Sequence, residues 1–203
     1  MEFIAHRINT TQELKKIPNN FGVELDLRDS GSKLILVHDP FSEGEDFQTY
    51  LQEYNHGTMI LNIKSERIEN RVLEAMKGSN VNKYFFLDSS FPMIVKLSSE
   101  GEKNLALRFS EFEPIDGVYL NRNKADWVWV DCFKTFPLNF GIYSKLKELG
   151  FKICIVSPEL QGQDSKIEAY GEYMKSLEIF PDAICSKIYN YERWKHFFPE
   201  LGT

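Results

Sequence analysis

The alternation of short apolar runs with amphipathic segments constrains this chain more than any other feature. Each run is rich in Val, Ile, Leu, Phe or Trp, and most runs are followed by a stretch with helical periodicity. A strand followed by a helix, repeated along a chain, predicts a parallel sheet with right-handed crossovers. The runs that we interpret as strands contain Phe3, Val23, Met59, Phe85, Leu105, Val128, Ile153 and Ile184.

Eight strand–helix units close a (β/α)8, or TIM, barrel, and we predict this α/β fold for residues 1–203 as a single domain. The chain has 203 residues. Because ~250 residues are usual for this fold, some helices must be short or missing. A further run, residues 33–37, is predicted to be an excursion after the second strand. An open doubly wound sheet is the alternative, but no glycine-rich phosphate loop follows the first strand.

Helical periodicity predicts helices over residues 12–17, 46–54, 66–76, 91–98, 142–149, 165–177 and 191–198. The proline-interrupted stretch 112–120 receives no assignment. Polar residues recur at the C-terminal ends of the predicted strands, the edge at which barrel enzymes carry their chemistry. These residues are His6, Asp26, Lys64, Asp88, Arg108, Asp131 and Lys187.

Composition narrows the classes of partner. Apolar residues make up 42% of the chain and aromatic residues 14%, which favours a well-packed globule. The formal net charge of −6 argues against a nucleic-acid partner but leaves a small phosphate ester possible. No apolar run approaches the ~20 residues of a membrane span, and the N-terminus lacks a signal-peptide charge pattern. Cys132, Cys154 and Cys185 lack metal-ligand spacing and are predicted to be buried free thiols, which fit a reducing compartment. From the sequence we therefore expect a cytoplasmic location and, because no run could span a membrane, no membrane partner.

Two carboxylates on the second predicted strand are the first candidates for a site. Glu24 and Asp26 alternate with apolar residues, so both side chains face the same side of the strand. An exposed strand face would show the same alternation. The pair His6-Arg7 ends the strand before it, however, and His38 ends the run after it. We therefore interpret the set as a functional site.

These residue types suit the cleavage of a phosphodiester. Such a reaction needs neutralisation of the phosphate oxygens, a base for the attacking hydroxyl group and an acid for the departing alkoxide. Carboxylates bind hard cations such as Mg²⁺ or Ca²⁺, histidines transfer protons near neutral pH, and basic side chains bind phosphate. The candidates for these three roles are Glu24 with Asp26, His6 with His38, and Arg7 with Lys64.

His6-Arg7, Glu24-x-Asp26 and His38-Asp39, in this order and spacing, resemble the signature of the glycerophosphodiester phosphodiesterases. That family belongs to a TIM-barrel superfamily that also contains phosphatidylinositol-specific phospholipases C and sphingomyelinase D. The resemblance covers about the first 65 residues.

The resemblance implies roles for the matching residues. The two histidines match the family's acid/base pair, the two carboxylates match its metal ligands, and Arg7 matches a phosphate contact. Lys64 matches a lysine two residues after the family's third carboxylate ligand. At the position of that ligand this chain has Asn62, whose amide oxygen can bind a hard cation but carries no charge. Asp88 or Glu159, on other predicted strands, are candidates to compensate for it.

The remaining strand-end residues have two interpretations. Asp39 is an additional candidate for the site, whereas Asp88 and Asp131 are either additional site residues or residues that cap a strand or start a turn. Arg108 is either a phosphate contact or a structural ion-pair partner.

Three hypotheses for the function follow. The first is a metal-dependent phosphodiesterase that hydrolyses a small glycerol- or sugar-linked phosphodiester by histidine acid/base catalysis. The second is a non-catalytic barrel that binds phosphate or another ligand and lost turnover with the third carboxylate. The third is an enzyme that stops at a cyclic phosphate. The sequence leaves the alcohol groups of the substrate and the oligomeric state open.

Overall fold

The computed structural model describes residues 1–203 and has a mixed α/β fold built on a curled, mainly parallel sheet. Every predicted run forms a strand. The strands are β1 (Glu2–Ala5), β2 (Gly22–Ser30), β3 (Lys33–Leu36), β4 (Glu45–Asp46), β5 (Met59–Ile63), β6 (Tyr84–Leu87), β7 (Ala106–Phe109), β8 (Trp127–Val130), β9 (Lys152–Val156) and β10 (Ala183–Ser186).

Eight α-helices follow the strands, and most of them are short. They are α1 (Thr11–Leu14), α2 (Phe47–Glu53), α3 (Glu69–Met76), α4 (Phe91–Ser99), α5 (Ile115–Leu120), α6 (Phe140–Glu148), α7 (Ile167–Ser176) and α8 (Tyr191–Phe197). Seven match predicted helices. The remaining helix, α5, lies in the stretch that received no assignment. Pro114 at its N-cap and Gly117 inside it weaken the helical pattern of that stretch. These short helices let the strand–helix units fit into 203 residues.

Eight parallel strands lie side by side in the order β6-β5-β2-β1-β10-β9-β8-β7. This is the order that a (β/α)8 barrel requires. The two outer members, β6 and β7, are joined by a single parallel bridge between Phe86 and Leu105. The backbone N–H of Phe86 also donates to the carbonyl of Asn104 (2.8 Å). The curled sheet therefore has one weak seam, where a full ladder is absent.

The excursion predicted after the second strand is confirmed. Residues 33–36 turn back as β3 and pair antiparallel with β2, from Leu27 opposite Leu36 to Ser30 opposite Lys33. Gly31 makes the turn with a φ of 60°. The hairpin extends β2 beyond its neighbours and carries residues 37–39 back along its side.

The interior of the curled sheet is apolar at one level and polar at the next. Eleven buried residues of the strands form an inner cluster, in which Phe85 stacks on Trp127 with ring centroids 4.5 Å apart. A second cluster of 44 buried residues packs the strands against the helices. All three cysteines are free and buried. Above the inner cluster, the next inward-facing side chains are polar, so the buried polar side chains are concentrated toward the C-terminal ends of the strands.

None of the helices combines the length and the apolar character that a membrane span requires.

Candidate active site

The two predicted carboxylates lie on one strand, β2, and are buried inside the curled sheet. On β2, Glu24 and Asp26 are each 1% exposed. Parallel pairing with β5 places Ile60 opposite Glu24 and Asn62 opposite Asp26. Because β2 lies between β1 and β5, this acid pair sits between the end of β1 and Asn62.

Each carboxylate oxygen of Glu24 accepts one hydrogen bond. Its Oε1 accepts a hydrogen bond from Nδ2 of Asn62 (2.7 Å), and its Oε2 accepts one from the backbone N–H of Arg7 (2.8 Å). Nε2 of His6 lies 3.7 Å from the same Oε2. Burial and the charge of Asp26 raise the pKa of Glu24 to about 7, against the lowering effect of its hydrogen bonds.

Asp26 lies between two cations and an amide. Its Oδ2 accepts a hydrogen bond from Nδ2 of Asn9 (2.9 Å), and its backbone N–H donates to Oδ1 of Asn9 (2.8 Å). Nε of Arg7 lies 3.5 Å from Oδ2, and Nζ of Lys64 lies 3.7 Å from Oδ1. Sequence reasoning missed Asn9 as a site residue. It lies just before α1, which Thr10 caps with a capping box.

His6 is held in the neutral form. Burial and the positive charges of Lys187, Arg7 and Lys64 lower its pKa to about 3. Its Nδ1 is buried and has no hydrogen-bond partner in the protein. The next residue, Arg7, has a φ of 57°, an uncommon backbone conformation for a residue with a side chain. The N–H of Arg7 donates to Glu24.

The C-terminal ends of the parallel strands surround an open end of the curled sheet, here called the mouth. His38 lies at this mouth but does not contact the acid pair. Its Nδ1 is 2.7 Å from Oδ1 of Asp39, and the hydrogen bond and charge of His38 lower the pKa of Asp39. Arg28 holds the loop, since its guanidinium donates to the carbonyl of His38 (2.8 Å) and to the carbonyl of Lys64 (2.9 Å). Arg28 was also missed, because a charged residue near the end of β2 looks like an ordinary exposed position.

Asp88, Arg108 and Asp131 form an ion network on β6, β7 and β8. Arg108 donates to Oδ1 of Asp88 (2.6 Å), to Glu113 (3.1 Å) and to Asp131. Asp131 also accepts hydrogen bonds from Nε2 of Gln161 and from Nε1 of Trp129, both 2.9 Å long. Arg108 is thus an ion-pair partner here. Lys64, 3.5 Å from Oδ2 of Asp88, links this network to Asp26.

Glu159 lies just after β9 and contacts the end of β10. Its Oε1 accepts from the hydroxyl of Ser186 (2.6 Å) and from the backbone N–H of Lys187 (3.0 Å), and its Oε2 accepts from Ser157. No group of three or more His, Cys, Asp or Glu side chains is arranged to hold a metal ion. The structure therefore does not bring Glu159 or Asp88 together with Glu24 and Asp26 as a third carboxylate.

One observation supports a cation at the acid pair nonetheless. Oδ1 of Asn62 is buried and has no hydrogen-bond donor. Such an oxygen is costly to leave unpaired, and it lies on the strand beside two carboxylates. Amide and carboxylate oxygens are ligands that Mg²⁺ and Ca²⁺ accept. The donor set of Glu24, Asp26 and Asn62 therefore fits a hard divalent cation that is bound with fewer charges than three carboxylates would supply.

No protein-family model and no curated protein sequence matches the chain. Among solved structures, it is similar to a crystal structure of a glycerophosphodiester phosphodiesterase from Agrobacterium tumefaciens. The TM-score is 0.65 at 14% sequence identity, and the match covers 92% of this chain and 97% of the other. At this identity the similarity supports a shared fold over nearly the whole chain.

Proposed function

We propose that this protein is a phosphoric diester hydrolase that cleaves a small glycerol- or sugar-linked phosphodiester at the mouth of an eight-stranded barrel. The observation that carries the proposal is the convergence of two buried carboxylates, a neutral histidine and two cations at adjacent strand ends. These residues are Glu24, Asp26, His6, Arg7 and Lys64. The fold shared with a phosphodiesterase agrees with it.

The two histidines suit opposite roles in proton transfer. His6, whose pKa is lowered by burial and nearby cations, is neutral at pH 7 and can accept the proton of the attacking hydroxyl group. His38 has its Nδ1 bound to Asp39, which leaves Nε2 to protonate the departing alkoxide. The new bond forms between the attacking oxygen and phosphorus, and the bond from phosphorus to the leaving alcohol breaks. The resemblance implies that an internal hydroxyl attacks first and that water then opens a cyclic phosphate.

Arg7 and Lys64 are the candidates to bind the phosphate oxygens. Each lies 3.5 Å or more from Asp26, longer than a tight ion pair, so each can turn toward a bound anion. Glu24, Asp26 and Asn62 would hold Mg²⁺ or Ca²⁺, which polarises the phosphoryl group when bound. Because burial and the charge of Asp26 raise the pKa of Glu24, cation binding there should tighten as the pH rises.

A non-catalytic barrel that binds a phosphate or a related ligand is the second candidate. The observation that favours it is Asn62, whose amide donates to Glu24 where a third carboxylate would bring negative charge. This protein would keep the anion-binding side chains without the turnover. Release of a cyclic phosphate, a cytoplasmic location and the lack of nucleic-acid or membrane partners remain predictions.

The test is hydrolysis of a generic aryl phosphodiester by the purified protein in Mg²⁺, Mn²⁺ or Ca²⁺, with and without excess chelator. We expect turnover that the chelator abolishes. Full activity in chelator would contradict the role of the acid pair as a cation site. No activity with any of the three cations would favour the binding protein.

A further inference from the structure

Lys187 is a cation at the mouth whose ammonium group has no carboxylate partner. Two other basic residues face His6. They are Arg7 and Lys64, and each lies within 4 Å of Asp26. On the far side, Arg108 binds three carboxylates. The ammonium group of Lys187 has no carboxylate within that distance, and its one polar contact is the backbone carbonyl of His6 at 3.4 Å. A half-buried cation in this state has an uncompensated positive charge.

The backbone fixes where this charge lies. β10 pairs with β1 in parallel, with Ser186 opposite Ala5, and the N–H of His6 donates to the carbonyl of Ser186 (2.9 Å). Lys187 and His6 are therefore the first residues beyond two paired strand ends. The positive charge of Lys187 contributes, after burial, to keeping His6 neutral.

Glu159 contacts Lys187 through the backbone and not through the ammonium group. Its carboxylate accepts hydrogen bonds from the backbone N–H of Lys187 and from the hydroxyl groups of Ser157 and Ser186. Ser157 in turn accepts a hydrogen bond from Nε1 of Trp194 (2.7 Å). The strand end is thus clamped by Glu159 while the side chain of Lys187 is left free to meet a negative group.

We propose that Lys187 binds the anionic phosphoryl group of the substrate, as a third phosphate contact beside Arg7 and Lys64. This inference rests on the proposed function for the identity of the anion. A phosphodiester carries one negative charge, and a cation beside the proton-accepting histidine places that charge next to the base. Lys187 then acts mainly in binding, whereas His6 acts in proton transfer.

Inorganic phosphate is the probe, and calorimetric titration of the intact protein is the measurement, so the test does not require turnover. Lys187→Met removes the charge, Lys187→Gln removes it but keeps a donor for the carbonyl of His6, and Lys187→Arg keeps it. Lys175→Met is the matched control, because Lys175 is exposed on α7 and its loss changes the net charge equally.

We expect Lys187→Met and Lys187→Gln to weaken phosphate binding by about 10- to 100-fold, the scale of a hydrogen bond to a charged group. Lys187→Arg should stay within about threefold of the wild type, and Lys175→Met should leave the affinity unchanged. Equal affinity in Lys187→Gln and Lys175→Met would overturn the proposal, as would a wild type that does not bind phosphate. Phosphate binding that depends on Lys187 in a protein without diesterase activity would support this inference and contradict the proposed hydrolysis.

Discussion

The two sides of the mouth use similar residues in different ways. On the β6–β8 side, formed by Asp88, Arg108, Glu113 and Asp131, the guanidinium lies within 3.1 Å of each of the three carboxylates. None of these side chains has a buried polar atom without a partner. The buried polar atoms of this network are therefore all paired before any ligand arrives.

The β1–β5 side, formed by His6, Arg7, Glu24, Asp26, Asn62 and Lys64, is incomplete. Its shortest distance between a cation and a carboxylate is 3.5 Å, and it contains two buried atoms without partners, Nδ1 of His6 and Oδ1 of Asn62. Unsatisfied buried polar groups are costly and call for an explanation in a native protein. The difference indicates that the β6–β8 side holds the scaffold, whereas the β1–β5 side is prepared for a ligand.

The largest effect should come from breaking the β6–β8 side. Arg108→Met leaves Asp131, 1% exposed, without its cation, and loss of one partner of a buried pair costs about 3 kcal/mol or more. On the incomplete side, Arg7→Met removes a looser and more exposed partner and should cost about 1 kcal/mol or less. Urea unfolding of both variants measures the two costs. Equal destabilisation would remove the distinction between the sides.

Next in size is the loss of turnover when the proton-transfer residues are removed. His6→Ala and His38→Ala should each lower kcat by about 10² or more, the usual contribution of a general acid or base. Both residues lie at the mouth, so the free energy of unfolding should change little. Steady-state kinetics with an aryl phosphodiester and circular dichroism provide the measurements. Wild-type turnover in either variant, or failure to fold, would assign that histidine a structural role.

Adding charge to the incomplete side should strengthen cation binding. Asn62→Asp is nearly isosteric, and Asn62→Glu reaches one methylene further. Either variant adds a third carboxylate, and oxygen-ligand sites for Ca²⁺ bind more tightly as ligand charge increases. We expect about tenfold tighter Mg²⁺ or Ca²⁺ binding, measured by calorimetric titration, in at least one of the two. Unchanged or weaker binding in both would mean that residue 62 does not face the ion.

The smallest effect concerns Glu159, which belongs to neither side. If it clamps the end of β10, Glu159→Gln keeps one acceptor oxygen and should cost about 1 kcal/mol of stability, the scale of one hydrogen bond. Divalent-cation affinity should remain that of the wild type. Thermal unfolding and calorimetry separate the two quantities. A loss of cation binding would make Glu159 a ligand after all.

Much of this arrangement follows from sequence patterns. Strict alternation on β2 places Glu24 and Asp26 on one face, and the alternation of Asn62 and Lys64 brings the end of β5 beside them. Strand ends locate His6, Asp88 and Arg108 at the same edge. These positions depend on the two-residue period of the strands and on the order of the strands along the chain, and both can be read from a single sequence.

Side-chain pairing was not predictable in the same way. The contacts of Asn9 with Asp26, and of Arg28 with two carbonyls, join residues that are 10 to 36 positions apart and depend on the rotamer of each side chain. Whether Arg108 meets a phosphate or a carboxylate is likewise decided by its neighbours across two strands. The helix α5 was not predicted because its six residues include a glycine and follow a proline.

The most direct test of this ligand site is a crystal structure of the protein soaked with inorganic phosphate and Ca²⁺. We expect phosphate within hydrogen-bonding distance of Arg7 or Lys64 and beside His6. We also expect a cation that contacts Glu24, Asp26 and Oδ1 of Asn62. Phosphate bound at Arg108, with Asp88 or Asp131 displaced and the β1–β5 side empty, would contradict it.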